Sequence, residues 1–149
     1  MSKAFDRVNH DLLLHKLEKM GIRGLLLDWI SSYLRDRTLG VRVDGAFSKP
    51  VLVTSGVPQG SVLGPLLFIA YANDLPQILR CQMTLFADDI KLWIRVKNRE
   101  DCFLLQRDLD QLQQWSLDNK LLFILRKCKM LSFGKPFYSN YFLGAHQLD

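Results

Sequence analysis

Cysteine, histidine and long apolar runs are all scarce in this 149-residue sequence, and each scarcity removes a class of protein. Cys81, Cys102 and Cys128 are odd in number and form no CxxC, which indicates a reducing compartment. His10, His15 and His146 show no zinc spacing, so no structural metal is expected. The longest apolar run, Val62 to Ala72, is interrupted by Gly64 and Pro65 and is too short to span a bilayer. No charged, apolar and small-residue signal opens the chain. Internal repeats, linkers and low-complexity tracts are missing too. Together these absences predict one soluble, intracellular domain over residues 1–149, without membrane association. Nucleus and cytoplasm stay equally open, because no basic cluster forms an import signal.

What is present suits a globular chain. Hydrophobic residues make up 48% and charged residues 23%, enough to bury a core. The formal charge of +5 suits a polyanionic partner, although charge speaks to non-specific binding and not to fold. Asn9 or Asp11 can cap a helix through Met20, with Leu13, Leu14, Leu17 and Met20 at helical spacing and Gly21 beyond its end. A second helix is expected at about 23–34, with Leu26, Leu27, Ile30 and Tyr33 on one side. Val41 and Val43, an Asp44-Gly45 turn, and Val51 and Val53 then read as a hairpin. Ser55-Gly56-Val57-Pro58-Gln59-Gly60-Ser61 forms an irregular loop, followed by a buried helix from Val62 to Tyr71 that weakens at Pro76 or extends to Leu79. Such a loop can approach phosphates or bases closely, yet it is neither a Walker A loop nor GxGxxG.

The most informative stretch is Leu85-Phe86-Ala87-Asp88-Asp89-Ile90-Lys91-Leu92-Trp93. Its residues alternate, with Ile90, Leu92, Ile94 and Val96 on one face and Lys91, Trp93 and Arg95 on the other. That period predicts two strands joined at Asp88-Asp89. A solvated hairpin tip accounts for the pair, since Asp is common in turns. A divalent cation would also account for it by removing the repulsion between two carboxylates. Beyond it, residues 99–120 form a helix whose Leu104, Leu105, Leu109, Leu112 and Trp115 make a core stripe with Asp and Gln opposite. Strands are expected at 121–125 and 129–133 around Arg126-Lys127, with a last hairpin over 137–148. Helices interleaved with hairpins predict an α+β class, an antiparallel sheet with helices packed on one face.

Five of these pieces occur in a fixed order: Ser2-Lys3-Ala4-Phe5-Asp6, Ser55 to Pro65, Tyr71-Ala72-Asn73-Asp74-Leu75, Phe86 to Asp89 and Lys127-Cys128-Lys129. As a set they resemble the reverse transcriptase of non-LTR retrotransposons, of the jockey and chicken-repeat-1 kind. The resemblance implies a polymerase palm with incomplete fingers and no thumb. It implies RNA-directed DNA synthesis with Mg²⁺, or Mn²⁺ in its place, on an RNA template and DNA primer with dNTPs. By resemblance Asp88 and Asp89 are the metal-binding pair, with Asp88 the direct ligand of both ions. Phe86 supports the turn beside the primer terminus, and Ala87 leaves room there. By the same resemblance Phe5 would lie under the incoming sugar, and Pro58, Gln59 and Gly60 would line the nucleotide and template pocket. Lys127 resembles the lysine that protonates departing pyrophosphate, with Lys129 close enough to compete. Leu143-Gly144 resembles a primer-grip turn.

The resemblance also marks departures. The family places a third aspartate two positions before the Ser-Lys-Ala-Phe-Asp run, which here is the position just ahead of Met1. Asp6 is read as a cap or salt link in preference to a replacement ligand. Ile90 stands for a small hydroxyl residue, and Ile124 for an Asn before the lysine. The expectation is a palm fragment, truncated at both ends, whose isolated chain is inactive. The alternative is a non-catalytic nucleic-acid-binding relic using Arg35, Arg37, Arg42, Lys91, Arg95, Lys127 and Lys129.

Overall fold

The computed structural model describes residues 1, 3–134 and 140–149. They divide into two compact units, one of Phe5–Tyr71 and one of Met1–Ala4 with Ala72–Asp149.

In the first unit a short helix α1 (Ala4–Arg7) leads to α2 (His10–Lys19). Of the two possible caps, Asn9 is the one used: its side chain accepts the Leu12 N–H at 3.0 Å. Gly21 follows the helix at φ +93°, the left-handed ending expected of it. α3 (Leu25–Leu34) starts two residues later than expected and turns Ile30 and Leu34 inward. Leu26 is exposed, so the expected stripe is rotated: an all-apolar start does not specify which side is buried.

Strands β1 (Thr38–Leu39), β2 (Arg42–Val43), β3 (Ala46–Phe47) and β4 (Val51–Leu52) form the expected hairpin. They pair antiparallel as β1 with β4 and β2 with β3. The Asp44-Gly45 turn has φ +49° and +86°, the sign pair of a type I′ turn. α4 (Leu63–Ala72) buries Leu67, Phe68, Tyr71 and Ala72, but Leu66 and Ile69 are exposed and Val62 just before it is 93% exposed. The expectation of a wholly buried helix is therefore corrected: this helix is apolar all round and buried along one side.

In the second unit the chain breaks after Ala72 and restarts as α5 (Leu75–Ile78), with Pro76 in its first turn where the missing N–H costs nothing. The extension to Leu79 is not continuous. Strands β5 (Gln82–Phe86) and β6 (Asp89–Trp93) follow, then α6 (Arg99–Asp118), opened by a reciprocal capping box between Asn98 and Asp101. Leu105, Leu109, Leu112 and Trp115 are buried as expected. Asp108 is the exception to an acidic outer face: it is 0% exposed, and its Oδ2 accepts the N–H groups of Arg80 at 2.7 Å and Cys81 at 2.6 Å.

The strands expected at 121–125 and 129–133 are absent. Residues 125–127 form a single 3₁₀ turn, and the flanking residues pair with no strand among the described residues. Alternation there finds no ladder among the described residues: the Met130 N–H bonds to the terminal Asp149 carbonyl, at 2.8 Å. The last hairpin forms as β7 (Tyr141–Leu143) and β8 (His146–Leu148), while residues 137–139 of its expected span lie outside the described residues. The chain is thus α+β, a palm-like fragment in which the antiparallel pairing falls into four two-stranded ladders among the described residues.

Candidate active site

The carboxylate pair sits where β5 turns into β6. The register pairs Phe86 with Asp89, so the two-residue turn is Ala87-Asp88, one position earlier than the expected Asp88-Asp89 junction. Asp89 is the first residue of the returning strand. Ala87 has φ +50°, a conformation that costs an L residue about 1 kcal/mol or more and favours a small side chain. Its small size therefore has a backbone reason beside the expected steric one. Phe86 is 80% exposed, leaving its ring open to a ligand and not packed beneath the turn.

Asp88 is half-buried and Asp89 exposed. The Met1 ammonium donates to the Asp88 carbonyl at 3.1 Å and stands 3.4 Å from its Oδ2. The same oxygen therefore receives a cation in this structure. Two hard oxygen donors, one of them open to solvent, fit the preference of Mg²⁺ for one or two carboxylates plus waters and phosphates. Among the described residues no third His, Cys, Asp or Glu joins them in a metal-binding group.

Lys127 ends the 3₁₀ turn, exposed and without an ion pair among the described residues, whereas Lys129 pairs with Asp149 at 3.4 Å. Of the two competing lysines, Lys127 has the unengaged head. Its neighbour Cys128 has a thiol pushed up by burial and drawn back by the Met1 ammonium. Leu143 closes β7 and is 3% exposed, so at the Leu143-Gly144 turn the backbone is the accessible part. Gln106 clamps this ladder, donating to the Phe142 carbonyl at 3.0 Å and accepting its N–H at 2.9 Å.

The remaining expected residues belong to the first unit. Phe5 stacks on Phe68 with ring centroids 4.5 Å apart, and its carbonyl accepts the Val57 N–H at 2.8 Å. Asp6 takes neither the cap nor the salt link expected of it among the described residues: its carbonyl accepts Ser55 Oγ at 2.8 Å, and its Oδ1 accepts Gln59 Nε2 at 2.6 Å. The Gln59 amide is thereby oriented by Asp6. Gly56 in this loop and Gly64 in α4 answer to close backbone approach. A Cβ on Gly56 would stand 2.8 Å from Asp6 Cα, and one on Gly64 would stand 2.6 Å from the Pro58 carbonyl oxygen. His10 Nε2 holds the Gly56 carbonyl at 2.8 Å. Phe68 and His10 were not singled out by sequence, where one is a member of an apolar run and the other an isolated histidine. The Asp6–Gln59 link was legible only as the order of the two motifs.

A family profile described as reverse transcriptase (RNA-dependent DNA polymerase) matches residues 1–147. This chain belongs to the reverse transcriptase family. It is 34% identical over 143 residues to the RNA-directed DNA polymerase from mobile element jockey of Drosophila melanogaster, across 90% of this chain and 16% of that protein. The jockey polymerase of Drosophila funebris is 31% identical over 149 residues, across 89% and 15%. The probable RNA-directed DNA polymerase from transposon BS of Drosophila melanogaster is 41% identical over 100 residues, across 62% and 11%. The chain therefore spans between 11% and 16% of the length of these three relatives. It is a reverse transcriptase domain of the non-LTR retroelement kind. Reverse transcriptases use divalent metal ions and act on nucleic acid with deoxynucleotides. No helix among the described residues is long and apolar enough to cross a membrane.

Proposed function

We propose that the chain is the palm portion of an RNA-directed DNA polymerase, with Asp88 and Asp89 as Mg²⁺ ligands. The observation that carries this reading is the contact between Met1 and Asp88. The Asp88 Oδ2 that the Met1 nitrogen approaches at 3.4 Å is the oxygen that would take the metal. Mg²⁺ bound there would activate the primer 3′-hydroxyl and stabilise the leaving pyrophosphate in an in-line displacement. Asp88 and Asp89 supply the anionic oxygens, and the Lys127 ammonium holds a proton for the departing phosphate. In the first unit, Phe5 backed by Phe68 is the surface for a nucleotide sugar. Gln59, oriented by Asp6, supplies an amide beside Pro58 and the side-chain-free Gly60. The substrates of this reading are an RNA template, a DNA primer and dNTPs.

Mn²⁺ binding followed by electron paramagnetic resonance, with primer extension alongside, tests the assignment. Weak binding is expected for the 149-residue chain, roughly tenfold tighter binding when Asp-Leu replaces Met1, and none in the Asp88→Asn, Asp89→Asn double variant. Mn²⁺ affinity unchanged by the double variant would sink the carboxylate assignment. Primer extension by the 149-residue chain that the double variant abolishes would show the third carboxylate to be dispensable.

A further inference from the structure

The outer face of the β5–β6 hairpin carries more chemistry than its tip. Alternation exposes Asp89, Lys91 and Trp93 along β6 and continues to exposed Arg95, while Gln82 stands opposite Trp93 at the end farthest from the aspartates. At that end a hollow of about 290 Å³ is lined by residues that include Arg80, Trp93, Arg95, Lys97 and Asp101. The side chains of Arg80, Arg95 and Lys97 have no ion-pair partner among the described residues. Asp101 is the lone carboxylate in the lining, and its Oδ2 already accepts the backbone N–H groups of Lys97 at 2.7 Å and Asn98 at 3.3 Å. Three cations against one anion leave the lining at +2. The Trp93 side chain is 46% exposed beside them. The wall opposite is fixed, because buried Asp108 holds the backbone of Arg80 and Cys81.

We propose that this hollow is a stacking site for single-stranded nucleic acid, with a base on the Trp93 indole and flanking phosphates on Arg80, Arg95 and Lys97. An indole face accepts any base, and cations on either side follow the backbone, the combination by which single strands are held without sequence preference. An acidic peptide would satisfy the cations and leave the indole without a planar partner. A duplex would offer phosphates but no free base face. The site lies roughly 13 Å along β6 from Asp89, four residues at the strand rise. It is therefore separate from the carboxylates, and binding there does not depend on the polymerase reading.

Fluorescence anisotropy of a short labelled oligouridylate with the full chain tests the proposal. Trp93→Ala is expected to weaken binding roughly tenfold, the loss of one stacked base, while Trp93→Phe retains most of it. The Arg80→Gln, Arg95→Gln, Lys97→Gln variant is expected to reduce the salt slope by roughly two, from about 0.7 per neutralised phosphate. Thermal melts accompany each variant. If Trp93→Ala fails to fold, the triple variant, built at exposed positions, still carries the test. Parental affinity and salt slope in the triple variant, or parental affinity in folded Trp93→Ala, would overturn the proposal. So would a polyglutamate peptide that competes as well as unlabelled oligouridylate, which would mark the hollow as an acidic-peptide site.

Discussion

Asp108 holds its place through two backbone amides 27 and 28 residues away, and through them the start of the strand that ends at the carboxylate turn. Charge-assisted bonds of this kind are stronger than neutral ones, and their loss leaves the buried Cys81 N–H unsatisfied. Asp108→Ala should therefore cost about 3 kcal/mol of stability, read from the urea midpoint, and Asp108→Asn markedly less. The same carboxylate acts on the neighbouring thiol. Burial first, then the hydrogen bond to and the charge of Asp108, push Cys81 from its ordinary 9.0 up to about 12. A thiol whose folded pKa is raised contributes fully below its unfolded value and loses that contribution as pH climbs to the folded one. Stability should thus fall as pH rises from 9 toward 12, and urea midpoints across that window should fall less steeply in Cys81→Ala. None of this is legible in sequence. Asp108 stands among Arg107, Asp110 and several glutamines, and only the distant amides it meets reveal that it faces inward.

At the scale of elements, the hairpin at the carboxylates is the part the sequence specifies best, because a two-residue period fixes both strands and their exposed faces. Its turn was displaced by one residue in the sequence reading, since Asp-Asp is the stronger turn signal and Ala87 gives none. The structure puts the positive φ on Ala87, so the element can be tested there. Ala87→Val should destabilise the chain by about 1–2 kcal/mol, seen in a thermal melt, because a branched side chain is disfavoured at φ > 0. The segment after α6 shows the opposite case. Its alternation resembles a strand, yet a strand exists only through a partner, and the ladder bonds are not there among the described residues. Helix α6 was legible to within two residues of its end because its apolar stripe is a local signal, whereas the Asn98 cap emerged only from the structure. The buried side of α4 was not, since an all-apolar helix carries no record of which face meets its neighbours.

For the molecule as a whole, the notable quantity is uncovered apolar surface. Val62, Leu25, Phe47 and Phe133 are all largely exposed, as are both faces of the β1–β4 ladder. Apolar exposure on this scale drives association. Concentration-dependent scattering and binding of a hydrophobic dye are expected from the 149-residue chain at micromolar concentration, and both should weaken in a Val62→Ser, Leu66→Ser, Ile69→Ser variant. Monodisperse scattering at all concentrations would contradict this. A separate consequence concerns the nitrogen resting against Asp88. It is an ammonium only while Met1 is the first residue; within a longer polypeptide it is a neutral amide. Acetylation at that nitrogen, or translation that starts further upstream, would erase a positive charge from the edge of the proposed metal site without altering any of its side chains. On the proposed reading, the pull of the two aspartates on a divalent ion would change with the charge on that nitrogen.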